Sequence, residues 1–376
     1  MSTSNANSEQ NAGSVHAPSI CVIAEAGVNH NGDLDLARQL VDAAAEAGAD
    51  VVKFQTFRAD ALVTKTAPKA AYQARNTSET ETQHQMLTRL ELSMEAHRAL
   101  LQYCNDRGIA FLSSPFDIGS LHFLTQELGL TTIKLGSGEL TNAPLLIEAA
   151  RSGCSLILST GMSTLGDVEQ ALGVLAFAMD PTAKDPGSEA FLQATQNTSA
   201  WQAMRKRVTL LHCTTQYPAP ISSTNLRAMV TIRDAFGLQV GYSDHTEGIS
   251  MSVAAAAMGA TVIEKHITLD KTLPGPDHRA SADPGEFRSL VAGVREVELG
   301  LGSGIKQPAE AEMANRSVAR KSLRAAREIS AGATLNADDI IVARPGDGIS
   351  PMRYWSALGT ISKRDYQPGD PLELPE

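Results

Sequence analysis

Residues 20–54, ICVIAEAGVNHNGDLDLARQLVDAAAEAGADVVKF, contain a short apolar run, a helix-length segment and a second apolar run. The two runs, Ile20–Ala24 and Val51–Phe54, are rich in β-branched residues, as buried parallel strands are. Leu34–Ala47 has the length of a helix, and Gly48 follows it where a helix C-cap favours a left-handed residue. The stretch therefore predicts a strand, a helix and a strand joined by short loops.

The same unit recurs through the first three quarters of the chain. Eight apolar runs alternate with helix-length segments such as Met94–Arg107 and Gly285–Leu299. The runs are Ile20–Ala24, Val51–Phe54, Ile109–Ser113, Thr132–Leu135, Leu156–Ser159, Val208–His212, Gln239–Tyr242 and Thr261–Glu264. Eight units fit an open doubly wound sheet or a closed barrel, but the Gly-x-Gly-x-x-Gly phosphate loop of the open sheet is missing. We therefore expect an α/β fold, an eight-stranded (β/α)8 TIM barrel.

The chain is expected to have two domains. The barrel is predicted over residues 19–300, a linker over 301–317 and a small second domain over 318–376. Residues 1–18 are polar, with no basic start and no apolar stretch, and are expected to form a disordered tail. Pro181–Gln202 interrupts the repeat and is predicted to be a surface insertion.

Composition excludes several classes of protein. No uninterrupted apolar run reaches the roughly 18 residues of a membrane span. The formal net charge of -10 repels nucleic acid. The four cysteines lie far apart without a Cys-x-x-Cys pair, which argues against a thiolate metal site or a disulfide framework. We expect a cytoplasmic protein that binds neither nucleic acid nor membrane.

Polar side chains close every predicted strand. In a β/α barrel these strand ends meet at one mouth, where reacting groups lie. Lys53 and Lys134 with several serine hydroxyls favour an anionic, phosphorylated substrate, although a lysine reaching solvent would explain either one alone. The strand-end residues are Glu25, Lys53, Gln55, Ser113, Ser114, Lys134, Ser137, Glu139, Ser159, Thr160, His212, Tyr217, Ser243, Asp244, His245, Lys265 and His266.

Two of these residues suggest a metal site. His245 and His266 close neighbouring strands, and two neutral imidazoles with an open coordination sphere suit a catalytic divalent ion. A general acid–base pair fits the same spacing. His30 and His212 are expected to be structural or to contact site residues without touching the substrate.

The lysines and glutamates leave further alternatives open. Glu25 and Glu139 are candidate bases or ligands of substrate hydroxyls, and ion pairs with Lys53 or Lys134 are the structural alternative. Burial of either lysine would suit a Schiff-base aldolase. A non-enzymatic alternative treats the C-terminal domain as an ice- or glycan-binding module and the barrel as its scaffold.

Five motifs resemble the sialic acid synthase family. They are IAEAGVNHNG at 23–32, KFQTF at 53–57, GSGE at 136–139, GYSDHT at 241–246 and GPDH at 275–278. The resemblance runs from about Ile20 to the C-terminus. It implies a barrel followed by an antifreeze-like (SAF, β-clip) domain over Val318–Glu376. It also implies condensation of phosphoenolpyruvate with an N-acetylmannosamine-type sugar.

The resemblance assigns roles to individual residues. The implied catalytic set is Glu25, Glu139, His245 and His266, and the two histidines would bind Mn²⁺ or Mg²⁺. Phosphoenolpyruvate would be held by Lys53, Lys134, Ser137, Ser159 and Ser243, and the sugar would face Gln55, Asn76, Tyr217, Asp277 and Arg344. Ser114 stands where many relatives have threonine, which keeps the hydroxyl. A domain-swapped homodimer would bring Arg344 to the partner's barrel.

The resemblance leaves the sugar open. An N-acetylneuraminate synthase using N-acetylmannosamine is the first interpretation. The alternative is a legionaminic acid synthase using a 2,4-diacetamido-trideoxy sugar. In the implied mechanism C3 of phosphoenolpyruvate attacks the aldehyde of the open-chain sugar, which the ion polarises, and water adds at C2 before phosphate leaves.

Overall fold

The computed structural model describes residues 20–77 and 81–374 and divides the chain into two compact units, one ending at Gly302 and one beginning at Ser303. The predicted tail, 1–18, lies outside the described residues. In the part of the chain that is described, no helix is both long and apolar enough to cross a membrane.

Eight parallel strands form a closed barrel in the first unit, which confirms the predicted fold. Their order is β3-β2-β1-β8-β7-β6-β5-β4, and β3 lies against β4 at the remaining seam. The strands are β1 Cys21–Gly27, β2 Val51–Thr56, β3 Ala110–Pro115, β4 Thr132–Leu135, β5 Ser155–Ser159, β6 Val208–Cys213, β7 Gln239–Asp244 and β8 Val262–His266.

Helices connect the strands and cover the barrel. Gly108 caps α5 at φ +69° and Gly237 caps α11 at φ +61°, as the glycine pattern predicts. The helices of the first unit are α1 Leu34–Glu46, α2 Ala59–Leu62, α3 Ala71–Asn76, α4 Gln83–Leu90, α5 Met94–Arg107, α6 Ile118–His122, α7 Ala143–Arg151, α8 Leu165–Met179, α9 Ser188–Ala194, α10 Thr198–Arg207, α11 Arg227–Phe236, α12 Ser250–Ala257 and α13 Pro284–Leu301. The second unit contains α14 Glu310–Ala319 and α15 Tyr354–Ala357.

Helices occur in the two stretches that were predicted from the sequence to be a surface insertion and a linker. The stretch 181–202 includes α9 and the start of α10, where the Asn197 side chain accepts hydrogen bonds from two backbone amides and caps the helix. Phe191 of α9 packs edge-on against Phe177 of α8. The stretch 301–317 includes most of α14, which has no buried residue.

The second unit is a small β structure with its own core. β9 Ser322–Ala325 and β10 Ile340–Ala343 pair in antiparallel fashion. The core residues are Leu323, Ala325, Ile329, Leu335, Ile340, Ala357, Tyr366 and Leu372. Its only α-helix among the residues described after β9 is the four-residue α15.

Candidate active site at the barrel mouth

The barrel interior changes from apolar to polar within one step along the strands. Ile23, Leu112, Ile157, Leu211 and Val262 form an apolar cluster inside the barrel. Side chains on one face of a strand recur at every second residue. The residues two positions further along these strands are Glu25, Ser114, Ser159, Cys213 and Glu264, and all five line a cavity of about 330 Å³. The strand period therefore builds a polar layer at the carboxyl end of the barrel, where β/α barrels place their active sites.

Four buried charged side chains form the centre of this layer. Lys53 Nζ lies 2.5 Å from Glu25 Oε2 and 3.6 Å from Glu264 Oε2. Lys134 Nζ lies 3.2 Å from Glu264 Oε1, which also accepts a hydrogen bond from the Ser243 hydroxyl at 2.8 Å. The two ammonium groups are balanced by two carboxylates. We call Glu25, Lys53, Lys134 and Glu264 the inner charge layer.

The two glutamates of this layer differ in protonation. Burial raises the pKa of Glu25, and Lys53 offsets only part of that effect. Burial also acts to raise the pKa of Glu264, but Lys134 and Lys53 hold it well below its usual range. Glu264 is therefore the standing anion between the two lysines, and Glu25 is the carboxyl that takes up a proton more easily.

The same contacts shift the pKa of Lys53. Burial acts to lower the pKa of Lys53, but the Glu25 and Glu264 carboxylates reverse this effect and raise it. Its ammonium group thus stays charged, which favours binding of an anion and argues against the neutral amine that a Schiff-base aldolase needs.

Hydroxyl groups line the cavity beside the lysines. Ser159 Oγ is buried and has no hydrogen-bond partner among the described residues. Ser137 Oγ accepts a hydrogen bond from the Gly161 amide at 3.1 Å and also lies 3.1 Å from Cys213 Sγ. A Cβ at Gly161 would lie only 2.3 Å from Thr215 Oγ1, so only glycine fits behind the Thr215 and Ser137 side chains that line this part of the cavity. Ammonium groups with hydroxyl donors suit a phosphate or a carboxylate.

His245 and His266 lie next to each other in the lining of the same cavity, with ring centroids 5.5 Å apart. Burial lowers the pKa of His245 to about 4, and burial with the neighbouring His245 lowers the pKa of His266 well below its usual range. Both imidazoles are therefore neutral. His245 Nδ1 lies 2.7 Å from the Thr214 carbonyl, so Nδ1 carries the proton and Nε2 keeps its lone pair.

These two imidazoles fit the predicted metal site. Fixing one ring nitrogen through a backbone carbonyl is the usual support for a metal-ligating histidine, and the buried His266 Nδ1 has no hydrogen-bond partner among the described residues. In that same part of the chain no group of three or more His, Cys, Asp or Glu side chains is arranged to hold an ion. A bound ion would thus have two protein ligands and open positions for substrate.

Aromatic and acidic groups form the side of the cavity next to the histidines. The Tyr217 ring lies between His245 and Tyr72, with centroid distances of 4.2 and 4.9 Å. Asp277 Oδ2 lies 3.8 Å from His266 Nδ1. Burial raises the pKa of Asp277 to about 7, with a further contribution from Glu25. Hydroxyl-rich ligands are commonly bound by such combinations of ring faces and carboxylates.

Thirteen of the fifteen predicted site residues line this cavity. They are Glu25, Lys53, Gln55, Ser114, Lys134, Ser137, Glu139, Ser159, Tyr217, Ser243, His245, His266 and Asp277. Asn76 lies beside it, because its amide donates to the Pro276 carbonyl at 2.9 Å. Arg344 belongs to the second unit, where its exposed side chain donates from Nε to the Ala319 carbonyl. His30 and His212 do not line the cavity.

Among the lining residues that the sequence interpretation missed are Glu264 and Tyr72. Glu264 was read as the end of an apolar run, although it shares the parity of His266 on the same strand. Tyr72 belongs to α3, which comes from the long connection between β2 and α5 and does not follow a strand directly. Parity along β8 could have identified Glu264, whereas no periodic signal points to Tyr72.

Comparison with known proteins gives consistent matches. The NeuB family model matches residues 40–306, and the SAF domain model matches residues 320–375. An N,N'-diacetyllegionaminic acid synthase of Campylobacter jejuni is 46% identical, covering 92% of this chain and 96% of the relative. The corresponding synthase of Legionella pneumophila is 45% identical, covering 93% and 92%. The crystal structure of an N-acetylneuraminic acid (sialic acid) synthetase from Leptospira borgpetersenii, in complex with citrate, superimposes with a TM-score of 0.64 at 30% identity, covering 79% and 90%.

Proposed function

Because the chain belongs to the NeuB family and ends in a SAF domain, we propose that it condenses phosphoenolpyruvate with an N-acylated mannosamine-type sugar and water, giving a nonulosonic acid and phosphate. The observation that supports this most directly is the inner charge layer. Two buried ammonium groups and a buried Ser159 hydroxyl without a partner among the described residues together suit a small ligand with a phosphate and a carboxylate.

For the sugar, our proposal reverses the order given by the sequence motifs. Relatives named as N,N'-diacetyllegionaminic acid synthases are 46% and 45% identical over nearly the whole chain. The sialic acid synthetase structure is 30% identical. A 2,4-diacetamido-trideoxy sugar is therefore the better-supported substrate, and N-acetylmannosamine becomes the alternative.

The residues divide the work between binding and proton handling. Lys53 and Lys134 bind the phosphate and the carboxylate of phosphoenolpyruvate, and Glu264 holds both ammonium groups in place. Since negative charge grows on the phosphate as it leaves, these cations stabilise the transition state more than the ground state. Glu25, with its raised pKa, gives or takes a proton at the reacting centre.

The bond changes require a group that activates the sugar aldehyde. A C–C bond forms between C3 of phosphoenolpyruvate and C1 of the open-chain sugar, water oxygen bonds to C2, and the bond from C2 to the phosphate oxygen breaks. A divalent ion held by His245 and His266 would act there as a Lewis acid. Tyr217 and Asp277, which lie next to these histidines, orient the sugar hydroxyls.

The test uses the purified full-length chain with manganese, phosphoenolpyruvate and each of the two sugars. Phosphate release and product mass are measured, and oxygen-18 water reports the bond that breaks. We expect turnover with the diacetamido sugar at the higher kcat/KM, with label in the product and none in phosphate. No phosphate release with either sugar would overturn the proposal.

We also propose a domain-swapped homodimer in which Arg344 serves the partner's barrel. The support is the family resemblance and the exposure of the Arg344 side chain within its own unit. Two inactive variants, His245→Ala and Arg344→Ala, are mixed after subunit dissociation and reassociation. A swapped heterodimer contains one site with an intact barrel and an intact Arg344, so activity returns. Heterodimers without recovered activity would refute the swap.

A further inference from the structure

Asp277 reaches the cavity from the loop between β8 and α13, and that loop is attached to the end of β1. The amide of Asn31 donates to the Pro274 carbonyl at 2.9 Å, and its second proton faces His278 Nε2 at 3.3 Å. Pro274 and His278 flank Asp277 on its two sides. The Asn31 amide therefore contacts the loop on both sides of Asp277.

The histidine contact continues into a defined hydrogen-bond chain. Burial lowers the pKa of His278 to about 4, so the ring is neutral. With Nε2 accepting from Asn31, Nδ1 carries the proton and donates to Thr268 Oγ1 at 2.7 Å. Thr268 in turn donates to the Asp270 carbonyl at 3.0 Å. The orientation of Asn31 thus sets the direction of every donor in this chain.

A second asparagine attaches the other end of the same loop. The buried amide of Asn29 donates to the Ile267 carbonyl at 2.8 Å and to Ser281 Oγ at 2.9 Å. Ser281 Oγ then donates to the Asp277 carbonyl at 2.8 Å. Asn29 and Asn31 therefore fix the backbone on which Asp277 stands.

Close packing leaves this loop little freedom. Gly275 has φ +155°, and a Cβ there would lie 2.6 Å from the His278 ring and 3.0 Å from Asn31 Oδ1. The loop backbone thus lies directly against Asn31. Asn31 itself has φ +52°, a left-handed conformation that asparagine tolerates better than most residues.

From these contacts we infer that Asn31 is a positioning residue that acts through Asp277 on the sugar end of the site. The inference rests on the proposed function, because it assigns Asp277 to the sugar. Lys53, Lys134 and Ser159 stand on strands β2, β4 and β5. Among the described residues, no hydrogen bond joins these strands to the β8–α13 loop. Loosening the loop should therefore weaken use of the sugar and leave use of phosphoenolpyruvate unchanged.

The primary variant is Asn31→Gly, which removes the amide and accepts the left-handed backbone without strain. The matched control is Asn225→Gly, because Asn225 has φ +43° and is exposed away from this loop. We expect Asn31→Gly to raise the KM for the sugar by about tenfold, as loss of two hydrogen bonds implies, with the KM for phosphoenolpyruvate within about twofold. The control should change neither value.

A double-mutant cycle distinguishes positioning from general damage. In an Asp277→Asn background the Asn31 substitution should add little, because its effect passes through a carboxylate already removed. If Asn31→Gly does not fold, Asn31→Asp keeps the side-chain shape and removes the same donors. Equal effects on both substrates, or additive effects in the cycle, would overturn the inference. A wild-type chain that turns over neither sugar would instead refute the proposed function.

Discussion

The barrel strands carry buried lysine and carboxylate groups on both their inner and outer faces, and the two faces differ in one respect. On the outer face, Lys265 Nζ lies 3.1 Å from Asp244 Oδ2 and donates to the Thr246 carbonyl at 2.8 Å. Asp244 Oδ2 also accepts from the Ser252 hydroxyl, and Oδ1 accepts from the amide and hydroxyl of Thr246. Each oxygen of this carboxylate is satisfied within the protein. We call Asp244 and Lys265 the outer ion pair.

The cavity that contains the inner charge layer also pairs lysines with carboxylates, but its hydrogen bonds are left incomplete. Ser159 Oγ, Glu264 Oε2 and His266 Nδ1 are buried without a hydrogen-bond partner among the residues described. A buried polar group without a partner lowers the folding stability by about 1–3 kcal/mol. Such groups are therefore expected mainly where the function of the protein requires them. On these two faces of the barrel it is the unfilled hydrogen bonds, and not the buried charge, that distinguish the candidate binding site from the outer ion pair.

The largest effect is expected on the inner face, at the two histidines. His245→Ala or His266→Ala should lower kcat by about a thousandfold or more, because a Lewis acid contributes several kcal/mol to the transition state. Chelation should have the same effect, and manganese should reverse it. Full activity of protein shown to be free of metal would contradict the assignment.

A paired substitution compares the two lysines directly. Lys53→Met should lower kcat/KM for phosphoenolpyruvate about a hundredfold or more with a smaller loss of stability, since Glu264 keeps Lys134 as a partner and Glu25, whose pKa is raised, can take up a proton. Lys265→Met should leave a buried, uncompensated Asp244 and destabilise the barrel by about 3–5 kcal/mol. Urea unfolding followed by circular dichroism measures the second effect. Equal loss of stability in both variants would remove the distinction between the faces.

A buried histidine that forms no salt bridge among the described residues sharpens the comparison further. Burial lowers the pKa of His30 from 6.5 to about 4, and its Nδ1 accepts from the Gly32 amide. The unfolded chain therefore binds a proton that the folded chain does not. The contribution, on the order of 3 kcal/mol, is complete above pH 6.5 and is lost as pH falls toward 4.

His30→Gln should remove part of this pH dependence. The urea midpoint of the wild type should fall between pH 7 and 4.5, and the midpoint of the variant should fall less steeply. The same slope in both proteins would show that His30 is protonated in the folded state.

The smallest expected effect concerns the hydroxyl that completes the outer ion pair. Ser252→Ala removes one hydrogen bond to the Asp244 carboxylate and should cost about 1.5–3 kcal/mol of stability without a change in kcat. Ser243→Ala, its counterpart next to Glu264, should act in the opposite way and lower activity more than stability. Thermal melting and steady-state kinetics on both variants test this contrast.

The sequence predicts the barrel well because its signal repeats. β4 has the predicted bounds, Thr132–Leu135, since its apolar run ends with the strand. β7 and β8 run two residues further than predicted, because Asp244 and His266 still belong to the strand ladder although they are polar. A strand in a barrel continues through its polar layer, so an apolar run marks where a strand lies and understates its length.

Contacts between distant segments were beyond prediction. Alternation along β8 places Glu264 on the inner face and Lys265 on the outer face. The prediction did not divide the strand-end residues by face. The contact of Asn31 with Pro274 joins residues 243 positions apart, and no local pattern encodes it. Asn76 was predicted to face the sugar, and the hydrogen bond that places it beside the cavity goes to a loop carbonyl.

The attachment of Asp277 to a loop has an evolutionary consequence. The lysines and serines stand on strands, where inserting one residue would exchange the inner and outer faces and destroy both clusters. The β8–α13 loop and the segment bearing Tyr72 can change in length and composition without moving any strand residue. Lineages of this fold should therefore acquire new sugar preferences by remodelling these two segments while the strand residues at the anion end stay fixed, and laboratory libraries should be confined to the same positions.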